Sequence, residues 1–424
     1  MASKGLTIGI DYTDEYCQAC YYSRRHGRPE SVSGGSELLR YLIPSVLVFD
    51  PEANEWAIGN SALRLAENPG MIVFRDLMRN IRAGTTAFMG GTEYTYIQLL
   101  AAYFGKLLEF IQIRTSVMAV ESITVTMKYV DQETKEALEE VFRILHVPAS
   151  KVRLLSDSES FGYYMIHEEP DLWRDGALLF DFSSEGFFVK QMNASFDQSR
   201  PLVYVNEYDF SSDFSMGNLA SEVLRQQMDQ RLSNLYLELI ARGNYSSVYF
   251  TGEGFDEQWF LVTLNNVSGS SRAFKGNNIY VKGACLAGYM QEMRADGEFS
   301  IICSGRTRAN IFLRAWDRGE MKDLLLSPAA CDWYDAGYVG DFILEQERAV
   351  DFVIESIITG ARTTVQMVLE GFPFRPDKTT RVRIAFTYRN EYECEISITD
   401  LGFGEFYPAE GARVVKSLDL EGYI

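Results

Sequence analysis

The feature that most constrains this chain is a unit that occurs twice. Residues 177–190 read ALLFDFSSEGFFVK: an apolar run ends at Asp181, the polar turn Ser183-Ser184-Glu185-Gly186 follows, and an apolar run resumes. Residues 6–22, LTIGIDYTDEYCQACYY, repeat the arrangement around Asp11. Strand, tight turn, strand is the pattern of a β-hairpin, here with a carboxylate at its mouth. Asp181 lies 170 residues after Asp11, and the same offset places Ser183 on Thr13 and Glu185 on Glu15. Mixed α/β sequence follows each copy, so a duplicated domain is expected.

At 424 residues the chain exceeds a single hydrophobic core, and two or three domains are expected. Its 40 basic against 59 acidic residues leave a formal charge of −19. That excludes a general nucleic-acid binder, whose affinity comes from Lys and Arg neutralising phosphates, and it disfavours an anionic membrane surface. No run approaches the roughly 20 apolar residues that span a bilayer. The start, MASKGLTIGID, enters a strand with no apolar signal core, so a cytoplasmic location is expected. Cys17 and Cys20 form a C-x-x-C, but side chains three apart on a strand face opposite ways. No second such pair and no nearby His completes a zinc site. The six cysteines therefore read as buried thiols in a reducing compartment. Three histidines, His26, His146 and His167, are too few for a His-based triad or metal cluster.

The two hairpins resemble the phosphate-binding hairpins of the actin-like ATPase fold in its DnaK-type heat-shock chaperone branch. There the first reads roughly G-I-D-x-G-T-T and the second D-x-G-G-G-T. Further segments follow in that family's order. Residues 41–62, YLIPSVLVFDPEANEWAIGNSA, look like its P-S-x-V-x-F … V-G-x-x-A segment; 123–164 resemble its strand–helix–strand leading to the first connecting helix; 248–255, VYFTGEGF, resemble its adenosine-site turn; 279–288, IYVKGACLAG, resemble its closing helix. The resemblance covers about residues 5–300.

It implies an α/β fold class: a duplicated actin-like (ribonuclease H-like) ATPase fold. Lobe I would span 1–175, rejoined by 285–305, and a reduced lobe II would span 176–284. Asp11 and Asp181 would hold Mg²⁺ through water, and Asp157 falls where the family has the glutamate that helps position the attacking water. Asp11, Asp157 and Asp181 would thus be the catalytic set of an active member. Thr13, Ser183, Ser184, Gly186, Gly252 and Gly254 match the nucleotide- and phosphate-binding turns. The family's phosphate-reaching lysine aligns with Leu77, with Arg75 or Arg79 beside it, and an arginine offers a different geometry.

The chain departs from that pattern where phosphate would bind. A polyphosphate is cradled by successive backbone N–H groups, which usually needs Gly. The turn Tyr12-Thr13-Asp14-Glu15 has none, the second turn keeps only Gly186, and Asp14, Glu15 and Glu185 add negative charge. Like charges about 4 Å apart repel by roughly 4 kcal/mol at an effective dielectric near 20, about three decades of affinity. Between the second hairpin and the TGEG turn there is room for one long helix, 218–243, where the chaperones carry a whole subdomain. No cofactor is expected to be required, and ATP with Mg²⁺ is expected to bind weakly if at all.

From residue 306 onward the sequence turns to short alternating runs: 310–316, 340–346, 349–356, 363–371, 381–388 and 392–400. These predict an antiparallel β-sandwich over 306–424; MKDLLL, 321–326, reads as a further strand. Such an edge can accept an extended protein or peptide segment, with Trp333, Tyr334, Tyr338 and Phe403 as candidate contacts. Elsewhere, 94–114 and 131–145 read as helices, 68–91 holds a basic helix-like stretch, and 23–36 reads as a loop. Three function classes stand: a non-catalytic protein-binding or scaffolding relative of the chaperones, favoured by the degenerate turns; an active ATP-dependent chaperone with divergent phosphate loops; and an actin-type assembly protein.

Overall fold

In the computed structural model, which describes residues 5–34, 41–196, 201–295, 298–317, 319–345 and 348–423, both Asp-bearing stretches are antiparallel hairpins. In the first sheet β1 (Leu6–Tyr12) pairs with β2 (Tyr16–Ser23), β3 (Arg28–Ser31) extends the hairpin, and β4 (Val120–Met127) and β5 (Val152–Ser156) add parallel to β1, giving the order β5-β4-β1-β2-β3. In the second, β6 (Ala177–Ser183) pairs with β7 (Gly186–Ser195), β8 (Leu202–Asp209) extends it, and β9 (Ser247–Thr251) and β10 (Arg272–Lys275) add parallel to β6, giving β10-β9-β6-β7-β8. Order and direction are the same in both. Short strands Ile43–Pro44 and Ser300–Ile302 join β2 and β8. The polar stretch 23–36 is not all loop. Gly27, at φ 65°, turns the chain back so that Arg28–Ser31 pair with β2; residues 35 and 36 lie outside the described residues.

Strand alternation sends each hairpin's side chains to two destinations. Ile8, Ile10 and Tyr12 enter a core with α2 (Leu77–Arg82), α3 (Tyr96–Thr115) and α4 (Gln132–Ile144). The first helix, α1 (Gly59–Leu65), lies beside a small sheet of Leu47–Asp50, Glu55–Ile58 and Ile72–Phe74. Thr95 starts α3 through a capping box with Gln98, and the Asp131 carboxylate accepts the Thr134 N–H to start α4. Asp157 opens α5 (Asp157–Ile166), whose capping box is Ser156 with Glu159. In the second sheet Leu178, Phe180, Phe182, Phe187 and Val189 face a largely aromatic core with α6 (Glu222–Arg242) and α7 (Leu261–Ser268). The helix expected over 218–243 begins at Glu222; Met216–Ala220, with turn-favouring Gly217 and Asn218, is a short 3-10 segment.

α8 (Ile279–Met293) packs on the first hairpin, α5 packs on β8 of the second sheet, and the two helices pack on each other. A β-carbon on Gly9 would come within 2.4 Å of the Val281 carbonyl oxygen, and one on Gly283 within 1.8 Å of the Ser160 carbonyl oxygen. Glycine lets α8 lie directly against β1 and α5. Cys17 enters the α3 core while Cys20 packs with Val281 and Cys285, so the C-x-x-C pair is split between faces, and the thiols are free.

Residues 302–424 form a compact unit distinct from residues 1–301. Its strands are β11 (Ala309–Asp317), β12 (Glu320–Ser327), β13 (Tyr338–Leu344), β14 (Ala349–Ser356), β15 (Arg362–Val368), β16 (Thr380–Tyr388), β17 (Glu393–Gly402) and β18 (Arg413–Asp419). Among the described residues they make two four-stranded antiparallel sheets, β12-β11-β14-β15 and β13-β16-β17-β18, around one core that includes Ile311, Phe352, Ile384, Phe386 and Ile396. MKDLLL is a strand, within β12. β18 escapes sequence reading because its residues are mostly exposed and its alternation is faint. At one end of β17 the buried carboxylate of Asp400 takes both arms of the Arg375 guanidinium, at 2.6 and 2.8 Å. No described helix is long and apolar enough to cross a membrane.

Candidate functional site

The ends of β1 and β6 bring Asp11 and Asp181 into one cleft, together with Asp157 from the first turn of α5. The space is small, about 100 Å³, below the roughly 300–1,000 Å³ of small-molecule pockets. Its walls are acidic, with Glu15, Glu185 and Glu253 joining the three aspartates. Burial, reinforced by the charges of Asp157, Asp181 and Glu185, pushes Asp11 well above the usual carboxylate range. Asp157 is raised to about 7 by burial; Lys190 and the Thr126 hydroxyl hold it back, while Asp181 and Glu185 add to it. Burial also raises Asp181, against the pull of Lys190 and a hydrogen bond from Tyr280.

Several polar groups in and around the turns have protein partners. The Tyr280 hydroxyl donates to Asp181 Oδ2 at 2.7 Å. Thr126 donates to Asp157 Oδ1 at 3.0 Å, and Ser160 donates to Thr126 at 2.8 Å. Thr13 closes its own turn, donating to the Tyr16 carbonyl at 2.9 Å and accepting the Tyr16 N–H at 3.1 Å. The Ser183 hydroxyl accepts the Glu185 N–H at 3.3 Å. Ser184 bridges the cleft: its hydroxyl donates to Glu15 Oε2 at 2.8 Å, and its N–H donates to Glu253 Oε1 at 2.6 Å. The Ser184 N–H is thus bound to a carboxylate.

Other candidates have structural occupations. Asp14 points away from the cleft and caps α2, accepting the Met78 and Arg79 N–H groups at 2.8 and 2.9 Å. Arg79 pairs with Asp76 at 3.1 Å and lines a neighbouring cavity with Asp14 and Lys128, outside the Asp11–Asp181 cleft. Leu77 is fully buried. Gly252, at φ 90°, lets the chain pass the second hairpin: a β-carbon there would meet the Phe182 carbonyl oxygen at 2.2 Å, and one on Gly254 would meet the Phe182 ring at 2.4 Å. Gly186, at φ 132°, makes room for the Ser211 hydroxyl that accepts the Phe187 N–H at 3.0 Å. In the second unit Trp333 and Tyr338 pack against the core, because Tyr338 shares the inward face of β13 with Phe342 and Leu344. The Tyr334 ring lies edge-on to Trp333 at 5.6 Å, and Phe403 is exposed. The open apolar side chains of β13 are its outward ones, Val339 and Ile343, 66% and 54% exposed.

The residues that sequence reasoning missed are Tyr280, Lys190, Glu207, Glu253 and Lys128. Lys190 had a visible signal, a lone cation in the buried alternation of FFVK. It is 1% exposed and ion-paired to Glu207, its cross-strand neighbour on β8. Burial works against its charge, yet Glu207, Asp181 and Asp157 raise its pKa above that of an ordinary lysine. Lys128 lies over the Phe188 ring at 3.2 Å, 3.7 Å from the Glu185 carboxylate, and burial lowers its pKa.

The Thr13, Ser183 and Ser184 hydroxyls are engaged within the protein, Gly252 and Gly254 lie against Phe182, and a tyrosine sits on one hairpin aspartate. Among the described residues no three His, Cys, Asp or Glu side chains converge to hold a metal ion.

Two family descriptions match the chain. A domain of unknown function, DUF8552, matches residues 306–420, and the C-terminal part of a family of unknown function, DUF5716, matches residues 28–304. The junction between them falls close to the boundary between the two compact units. No curated protein matches the chain. Because the second match covers more than half of the 424 residues, the chain belongs to the DUF5716 family, through that family's C-terminal region.

Proposed function

We propose that residues 1–301 are a diverged actin-like fold of the DnaK-type branch whose nucleotide site has closed, and that the chain acts as a non-catalytic protein-binding or scaffolding relative of the chaperones. The fold reading is supported by two sheets of the same strand order, each with an Asp at the mouth of its first hairpin, facing one helix pair. The functional reading rests on one observation, the Ser184 bridge that ties the second turn to Glu15 and Glu253 across the cleft. A phosphate entering there would have to break two hydrogen bonds and face several carboxylates. Calorimetric titration with Mg-ATP and Mg-ADP is expected to give no binding tighter than about 0.1 mM, since roughly 4 kcal/mol of repulsion turns a micromolar site into a millimolar one. Micromolar binding, or turnover abolished by Asp11→Asn, would overturn the reading in favour of an active ATPase.

In this reading the β-sandwich carries the partner surface. Among the described residues β13 is an edge strand, paired with β16, and its outward side chains Val339 and Ile343 are open. Such an edge accepts an extended protein segment by backbone pairing, and charged residues on it prevent that. The full chain carrying Val339→Lys and Ile343→Lys is expected to lose the proteins that the unaltered chain retains from lysate. Its stability should change little, by about 0.5 kcal/mol per site. Unchanged retention would move the binding role away from this edge.

A further inference from the structure

Helix α3 carries apolar residues on more than its core face. Tyr103, Phe104, Leu107 and Ile111 are buried in the core, whereas Phe110 is half-buried and Ile113 is 67% exposed. These two, three residues apart and so on one side of the helix, line a cavity of about 790 Å³ together with Trp56 and Ile58 from the strand Glu55–Ile58. The volume is that of a small-molecule pocket. Its charges run against those of the chain. Arg64 of α1 and Lys106 and Arg114 of α3 line it against one described acid, Glu109, in a protein with 59 acidic and 40 basic residues. Lys106 pairs with Glu109 at 2.9 Å. Arg64 Nε donates to the Asn60 carbonyl of its own helix at 3.3 Å, and the Arg114 guanidinium lies 5.1 Å from the centre of the Phe110 ring. Both arginines are exposed, and among the described residues neither has a carboxylate partner. The cavity shares no described lining residue with the Asp11–Asp181 cleft.

An apolar wall beside two guanidinium groups that lack an anion suits a molecule with one apolar chain and an anionic head. We propose that this cavity binds a dissolved amphiphilic anion, a fatty carboxylate being the simplest. The apolar chain lies against Trp56, Ile58, Phe110 and Ile113. The head lies on Arg64 and Arg114, whose planar forks match a carboxylate or a phosphate. Apolar burial supplies the affinity, and the arginines select the sign of the head. A lipid in a bilayer has the same chemistry, but the protein's charge of −19 opposes approach to an anionic surface. Nothing in this site depends on the cleft between the hairpins.

Calorimetric titration of the full chain with decanoate, kept below its micelle concentration, is expected to show one saturable site tighter than about 1 mM. Octanoate should bind about sixteenfold more weakly, at roughly fourfold per buried methylene. Decyltrimethylammonium, with the same chain length and the opposite charge, should not bind in that range. Arg64→Gln combined with Arg114→Gln should weaken decanoate about tenfold and leave the ratio of octanoate to decanoate affinity unchanged. Ile113→Asp, which puts a carboxylate beside the apolar wall, should abolish binding. All three side chains are exposed, so both variants should keep the thermal midpoint of the unaltered chain. Absence of a saturable site overturns the proposal. So does equal affinity for decanoate and decyltrimethylammonium, or decanoate binding that neither variant alters. Retention of the unaltered chain on phosphatidylglycerol vesicles, lost in Ile113→Asp, would overturn the dissolved source in favour of a membrane lipid.

Discussion

Asp400→Ala is expected to destabilise the C-terminal unit by about 3–5 kcal/mol, the cost of removing one partner from a buried ion pair. The carboxylate is fully buried and the Arg375 side chain 4% exposed. Beyond the guanidinium, Asp400 accepts the Gly402 and Glu410 N–H groups at 2.9 and 3.0 Å. Alanine leaves a buried guanidinium without its counter-charge, holding the Pro408 carbonyl at 2.7 Å, and takes the side-chain acceptor from two amides. Against a typical domain stability of roughly 5–15 kcal/mol, that loss leaves a substantial unfolded fraction. The pH dependence follows from the same contacts. The Arg375 hydrogen bonds, opposed by burial and helped by the two amides, hold Asp400 down to about 2. Its folded pKa lies below the unfolded value near 3.9, so the unfolded state binds more protons in that interval and stability rises with pH. The contribution is fully present above about pH 4 and disappears as pH falls towards 2. Urea titrations of both proteins, read by near-ultraviolet signals of this unit, should show the gap at neutral pH and its shrinkage in acid. An equal gap throughout would mean that the pair stabilises by shape and not by charge.

Gly283→Ala is expected to cost about 3 kcal/mol or more, at the upper end of overpacking penalties. The usual effect of Gly→Ala inside a helix is the opposite, a gain of roughly 0.5–1 kcal/mol. The clash decides the sign: the new methyl would meet the Ser160 carbonyl, backbone of another helix that cannot rotate away, at 1.8 Å. Gly105→Ala in α3 is the comparison. Its methyl would meet a terminal carbon of Leu145 at 3.1 Å, which side-chain rotation can relieve, so a change within about 1 kcal/mol is expected. Equal unfolding midpoints for the two variants would show that α8 can move off α5 at little cost.

The hairpins, the helices over 94–114 and 131–145, and most strands of the second unit are legible in the sequence because their signals are local: a period of two, helical spacing of apolar residues, a turn between apolar runs. The shared placement of Asp11 and Asp181 is legible for another reason, internal repetition. The occupations of the site residues are not. That Asp14 caps a helix 64 residues away, or that Gly252 exists for the Phe182 carbonyl, depends on which segments the fold brings together. Tyr280 looks like any aromatic in a helix until α8 is seen beside β6. Lys190 is the intermediate case. A lysine among buried alternating residues announces a partner, but only the pairing of β7 with β8 supplies Glu207.

That lysine has a consequence for how the chain finds its fold. β7 is apolar on both faces: Phe187 and Val189 look into the aromatic core, while Phe188 and Met192 look the other way. Greasiness alone would tolerate a slip by one residue. Such a slip would turn Lys190 into the cluster of Phe180, Phe214 and Phe250, an unpaired ammonium among rings, and strand Glu207 without its cation. A single buried charge thereby works against a one-residue slip that the apolar pattern of this strand would otherwise tolerate.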